Sequence, residues 1–121
     1  MSFKFDNNLP IYVQLVEQFK IFIIAGQFRP GERLASVRDL AVQNKVNPNT
    51  MQKALVELEK MKLVYTERTN GKYVTSDYKL IEKYKIEYAN DLSHKYISAM
   101  ENVGFKYEEI LSCLQKVGGN K

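Results

Sequence analysis

Residues 36–62 read as two short amphipathic segments separated by the polar run QNKVNPNT, and this stretch limits the possible folds more than any other part of the chain. Asn47-Pro48 within that run is a helix N-cap followed by proline at the first helical position, where a missing N–H costs nothing. Upstream, Ser36 with Asp39 three residues later has the form of a capping box ahead of Leu40 and Ala41. Two helices joined by so short a polar turn form a helix-turn-helix candidate.

The second of these helices is expected from Pro48 to about Lys62, and its faces are distinct. At about 100° per residue, Met51, Ala54, Leu55 and Leu58 share one side while Asn49, Lys53 and Lys60 share the other, with Thr50 and Gln52 flanking. No carboxylate occurs between Leu40 and Val56. An outward face made of amides and ammonium groups suits a polyanion.

The flanking segments complete the unit. Ile11, Leu15, Phe19, Phe22 and Ile23 recur at helical spacing between Pro10, a good helix start, and Gly26, a good stop. Pro30-Gly31 marks a turn. After the third helix, LVYTERTNGKYVT is rich in β-branched and aromatic residues and is broken by Asn70-Gly71, the strongest short hairpin signal. A two-stranded wing with a type I′ turn is expected there, with Arg68, Thr69 and Lys72 around its tip.

From Tyr78 the helical pattern returns with Ile81, Tyr84, Tyr88, Leu92, Ile97 and Met100, ends at Gly104, and restarts where Glu108 and Glu109 favour a first helical turn before Ile110, Leu111 and Leu114. This tail is too short to enclose a drug-sized pocket alone, since such pockets need about 300 Å³ or more. It also carries more apolar surface than one small domain readily covers, so a second copy is the simplest partner. The expected fold is therefore mainly α with a small β-hairpin. Residues 1–76 form a winged helix-turn-helix, and residues 77–121 form a two-helix dimerisation segment. The dimerisation residues are Ile81, Tyr84, Tyr88, Leu92, Ile97, Met100, Leu111 and Leu114.

Charge distribution agrees with this division. Residues 1–75 hold 11 Lys/Arg against 7 Asp/Glu, whereas residues 76–121 hold 7 of each, so all of the net +4 lies in the first part. A basic half joined to a neutral half points to a polyanion-binding module and a second element with another task.

Other classes are disfavoured. There is no Gly-rich phosphate loop and no nucleophile elbow, and His94, in a charged helical stretch, is the only neutral-range base. Cys113 is the only cysteine, which excludes an intramolecular disulfide and leaves no convincing metal site; it reads as a small buried hydrophobe. No enzyme activity and no cofactor are expected. The longest apolar run, near Ile21 to Ala25, is far below the roughly 20 residues of a membrane span, and the N-terminus lacks a signal-peptide pattern. A cytoplasmic protein without a membrane partner is expected. The rival reading is a winged helix that binds protein and has no specific operator, but a protein-docking helix has no need to exclude carboxylates.

At this point the motifs carry a resemblance. Pro10-Ile11-Tyr12 with Gln14, Pro30-Gly31, Leu34-Ala35-Ser36-Val37-Arg38 and Val46-Asn47-Pro48-Asn49-Thr50 occur in the order seen in the DNA-binding domain of GntR-type regulators, over about the first 75 residues without a gap. The short tail resembles the YtrA-type subgroup. Ala35 departs from the family's usual proline and Leu55 from a common aromatic; neither touches the base-reading face. The resemblance implies DNA contacts at Ser36, Arg38, Asn47, Asn49, Thr50, Gln52, Lys53 and at Gly71 with its wing neighbours. It further implies a homodimer on double-stranded operator DNA, and repression of a nearby transporter operon. Any small-molecule effector is unspecified. The side-chain chemistry agrees: arginine forks suit guanine or phosphate, Asn and Gln suit adenine, and hydroxyls near helix starts suit phosphates.

Overall fold

In the computed structural model, which describes residues 5–68 and 70–119, seven elements follow one another. They are α1 (Ile11–Ile24), α2 (Val37–Asn44), α3 (Pro48–Lys60), β1 (Val64–Glu67), β2 (Gly71–Val74), α4 (Tyr78–Asn102) and α5 (Tyr107–Gly118). The mainly helical fold with one antiparallel hairpin is the expected one. Packing divides the chain after Tyr84, inside α4.

In the first unit, Leu15, Phe19 and Ile23 form the buried stripe of α1 and meet Leu40 and Ala41 of α2 and Met51, Ala54, Leu55 and Leu58 of α3. The spacing of four along α1 keeps these side chains on one face. Ile11, expected inside, is exposed. It sits at the helix start, where Gln14 folds the preceding segment over: its Nε2 donates to the carbonyls of Asp6 (2.6 Å) and Leu9 (2.9 Å). After Gly26, at φ +81, Phe28 returns to stack on Phe19 with ring centres 5.7 Å apart.

The caps form where the sequence places them. The Ser36 Oγ accepts from the Asp39 N–H (3.0 Å), and the Asn47 Oδ1 accepts from the Asn49 N–H (2.8 Å). Each satisfies a donor that its helix leaves unpaired. The bend between α2 and α3 is made by Lys45 in the left-handed region at φ 55, and a second such residue, Lys62 at φ 64, follows α3, which ends two residues earlier than the expected Lys62.

The wing pairs Val64 with Val74, Tyr65 with Tyr73, Thr66 with Lys72 and Glu67 with Gly71. Gly71 therefore stands in the ladder opposite Glu67, where Asn70-Gly71 alone suggested the centre of a two-residue turn. The buried Val64–Val74 pair fixes the register, and that register places Gly71, at φ +97, opposite Glu67 and inside the ladder. A third segment joins the sheet: the Leu34 N–H donates to the Lys72 carbonyl (2.8 Å), the Val74 N–H donates to the Glu32 carbonyl (2.8 Å), and Arg33 bridges to Tyr73.

The start of α4 belongs to this unit. The Asp77 Oδ1 caps it by accepting from the Leu80 N–H (3.1 Å), and Leu80, Ile81 and Tyr84 pack on the core. In the second unit, the Lys106 N–H donates to the Glu109 Oε1 (3.0 Å) at the start of α5, and Ile110 is buried. Cys113 is half-buried, and His94 is exposed.

Candidate nucleic-acid interface

Two helix starts and the wing supply the site. Ser36 and Arg38 lie at the N-cap and in the first turn of α2, and Asn47, Asn49 and Thr50 occupy the same positions of α3. Ser36, Arg38, Asn47, Asn49, Gln52 and Lys53 are all exposed, and Thr50 is half-buried. Their exposure follows from the packing, because α3 turns Met51, Ala54, Leu55 and Leu58 wholly inward. The solvent side of the 40–56 segment thus consists of amides and ammonium groups with Val42, Pro48 and Val56 among them, and carries no carboxylate.

Lys53 is not a freely swinging charge. Its Nζ lies 3.9 Å from the centre of the Tyr12 ring, within cation–π range, so α1 holds one of the cations of α3.

The structure brings Ser36, Arg68, Gly71 and Lys72 together along one crevice of about 320 Å³ between the 33–37 segment and the end of the wing. Arg38, Asn47, Asn49, Thr50, Gln52 and Lys53 are not part of its lining. Thr69 lies outside the described residues. Within the crevice Lys72 has a partner inside the chain: its Nζ is 2.6 Å from the Glu59 Oε1 and 2.9 Å from the Thr66 Oγ1, and the Thr66 hydroxyl donates to the same Glu59 oxygen. Partial burial pushes the Glu59 carboxyl upward, but the hydrogen bonds from Lys72 and Thr66 and the Lys72 charge outweigh it and hold the group below its usual value.

Arg33 also lines this crevice and was not singled out by sequence. No spacing in the sequence marks it, because the strand-like alternation of exposed Arg33, buried Leu34 and exposed Ala35 arises only where this segment meets the wing. A Cβ at Gly71 would lie 3.6 Å from both Nε and Nη2 of Arg33, so the guanidinium lies across the glycine.

Of the residues assigned to dimerisation, Ile81 and Tyr84 rest on the first unit's core, and the Tyr84 hydroxyl donates to the Met61 carbonyl (3.0 Å). Tyr88, Ile97 and Met100 are half-buried. Leu92, Leu111 and Leu114 are 50%, 43% and 48% exposed. Leu92, Ile97, Leu111 and Leu114 line an apolar groove of about 410 Å³ between the C-terminal part of α4 and α5, together with Tyr96 and Tyr107. Among the described residues no His/Cys/Asp/Glu group is arranged to hold a metal, and no helix is long and apolar enough to cross a membrane.

Comparison with known proteins places this geometry. The family described as bacterial regulatory proteins, gntR family, matches residues 11–74. An uncharacterised HTH-type transcriptional regulator of Bacillus subtilis, YhcF, is 31% identical over 111 residues, 92% of each chain. The HTH-type transcriptional repressor YtrA of the same organism is 40% identical over 73 residues, 60% of this chain and 56% of that one. The structure of a GntR family transcriptional regulator from Listeria monocytogenes superposes with a TM-score of 0.87 at 39% identity, over 93% of this chain and 98% of that one.

Proposed function

Because the chain belongs to the GntR family of DNA-binding transcription regulators, and by its relatives to the YtrA-type subgroup, we propose that it is a repressor acting as a homodimer on a pseudo-palindromic operator. Like its relatives it is a regulator and not an enzyme. The observation that carries the reading is the carboxylate-free surface from Val42 to Val56, which exposes Asn47, Asn49, Gln52 and Lys53 at and beyond the start of α3. A duplex is a dense line of negative charge, and such a face meets it without repulsion.

In this reading Arg38 and Asn49 contact base edges, while Ser36, Thr50, Lys53 and the wing around Arg68, Thr69, Gly71 and Lys72 hold the backbone. Residues 1–76 bind DNA and, within residues 77–121, the part of α4 beyond Tyr84 together with α5 assembles the dimer, since the start of α4 rests on the first unit's core. The apolar groove between α4 and α5 receives the same groove of a second copy, because the exposed Leu92, Leu111 and Leu114 form one continuous apolar surface and a two-fold operator requires a two-fold protein. The subgroup resemblance supports a transporter operon as the target, regulated in the cytoplasm. Protection mapping of the DNA upstream of its own gene tests this: two inverted half-sites support the dimer, and a single asymmetric site contradicts it.

A further inference from the structure

We infer that Arg33 is a phosphate-contacting residue of the wing, gripping the DNA backbone across Gly71 together with Arg68; this rests on the DNA-binding reading above. The backbone fixes where Arg33 points. Hydrogen bonds from the Leu34 N–H to the Lys72 carbonyl and from the Val74 N–H to the Glu32 carbonyl bracket it, and it pairs with Tyr73. Antiparallel partners share a face of the sheet, and residues two apart on a strand share it as well. Arg33 therefore lies on the face of Tyr73 and Gly71, opposite the face on which Leu34 and Val74 are buried.

Gly71 has no side chain to occupy that face, so the guanidinium lies over the strand within 3.6 Å of the position a Cβ would take. Arg33 is exposed, and among the described residues it takes part in no ion pair. The nearby cation Lys72 is in a different state, with Glu59 2.6 Å away. Of the charges lining the crevice, Arg33 and Arg68 are exposed and, among the described residues, take part in no ion pair, and Glu67 is the one carboxylate in that lining. Ser36, whose Oγ caps α2, lies on the same crevice, so a neutral hydrogen-bonding group and two guanidiniums border one slot. A phosphodiester oxygen is the ligand that such a slot accepts, by charge-assisted hydrogen bonds from a planar fork.

The test measures binding of the full chain against salt concentration, on a duplex selected from a random pool by the unmodified protein and on an unselected duplex. Arg33→Met keeps the aliphatic stem and removes the charge; Arg33→Lys keeps the charge. The expected result for Arg33→Met is a log–log salt slope lower by about 0.9, which over a tenfold drop in salt amounts to an about eightfold greater loss of affinity. The loss is equal on both duplexes, and Arg33→Lys retains the slope of the unmodified chain. An unchanged slope for Arg33→Met overturns the inference. So does an equal loss in both variants accompanied by an equal fall in melting temperature, which is the mark of a wing that needs the guanidinium only for folding. If the unmodified chain itself shows no salt-dependent binding, the DNA-binding reading fails first, and the two failures are distinguished by that control.

Discussion

The Lys72 ammonium stands 2.6 Å from the Glu59 Oε1, tying the second strand of the wing to the last turn of α3 across 13 residues of sequence. The Lys72 side chain retains only 15% of its exposure and that of Glu59 31%, so the pair lies at the edge of the core. Glu59→Gln is expected to cost about 1 kcal/mol at neutral pH, between the value of an exposed pair and that of a buried charged hydrogen bond. That corresponds to a melting temperature lower by roughly 4 to 8 °C for a domain of this size.

The same pair sets a pH dependence. The folded Glu59 carboxyl ionises below its ordinary value, so its contribution is complete above the unfolded pKa of about 4.3 and is lost as the pH falls through the folded value. The melting difference between the unmodified chain and Glu59→Gln should therefore begin to shrink as the pH falls below the ordinary carboxylate value of about 4.3 and vanish once the folded carboxyl is protonated, as followed by circular dichroism. A difference that stays unchanged throughout acid titration would show that packing and not charge is responsible.

Base reading and backbone holding separate in mutants. Arg38→Ala and Asn49→Ala are each expected to cost roughly 1 to 3 kcal/mol on the operator and to relax preference at particular positions. Selection from a random pool with each variant reads this directly. Arg38→Ala retaining the unmodified ratio of specific to non-specific affinity would remove Arg38 from base reading.

The Tyr12–Lys53 contact predicts coupling across α1 and α3. Tyr12→Leu should weaken DNA binding about as much as Lys53→Ala, the double variant should add little, and Tyr12→Phe should bind normally, because the ring face and not the hydroxyl meets the ammonium. A coupling of about 0.5 to 1 kcal/mol is expected for an exposed pair of this kind. A weakened Tyr12→Phe would place the hydroxyl itself on DNA.

Division inside α4 fixes where the chain can be shortened. Because Leu80, Ile81 and Tyr84 lie on the core and the Tyr84 hydroxyl bonds to Met61, a chain ending just after Tyr84 should melt at a higher temperature than one ending at Thr75. Both should sediment as monomers. Leu114→Asp in the full chain, which adds a carboxylate to an exposed position on the apolar groove, should also give monomers while leaving the first unit folded.

Local signals in the sequence were enough for the helix starts, since Ser36 and Asn47 act on backbone groups within three residues of themselves. The inward face of α3 was legible for the same reason, because its period is a property of the helix alone. What was not legible depends on contacts distant in sequence. The Lys72–Glu59 tie, the bridge of Arg33 to Tyr73 and the docking of Tyr84 on Met61 are set by how elements meet, and no spacing rule within one element reports them. The wing shows both cases: Asn70-Gly71 marks the hairpin, but the place of Gly71 in the ladder follows from the buried Val64–Val74 pair and its register.

The central claim, that the chain is a dimeric operator-binding protein held largely through phosphates, is tested most directly by the affinity of the full chain for the duplex upstream of its own gene as a function of salt. If each half neutralises about three or four phosphates, log affinity should fall against log salt with a slope of about −5 to −7. A slope near zero would contradict the account.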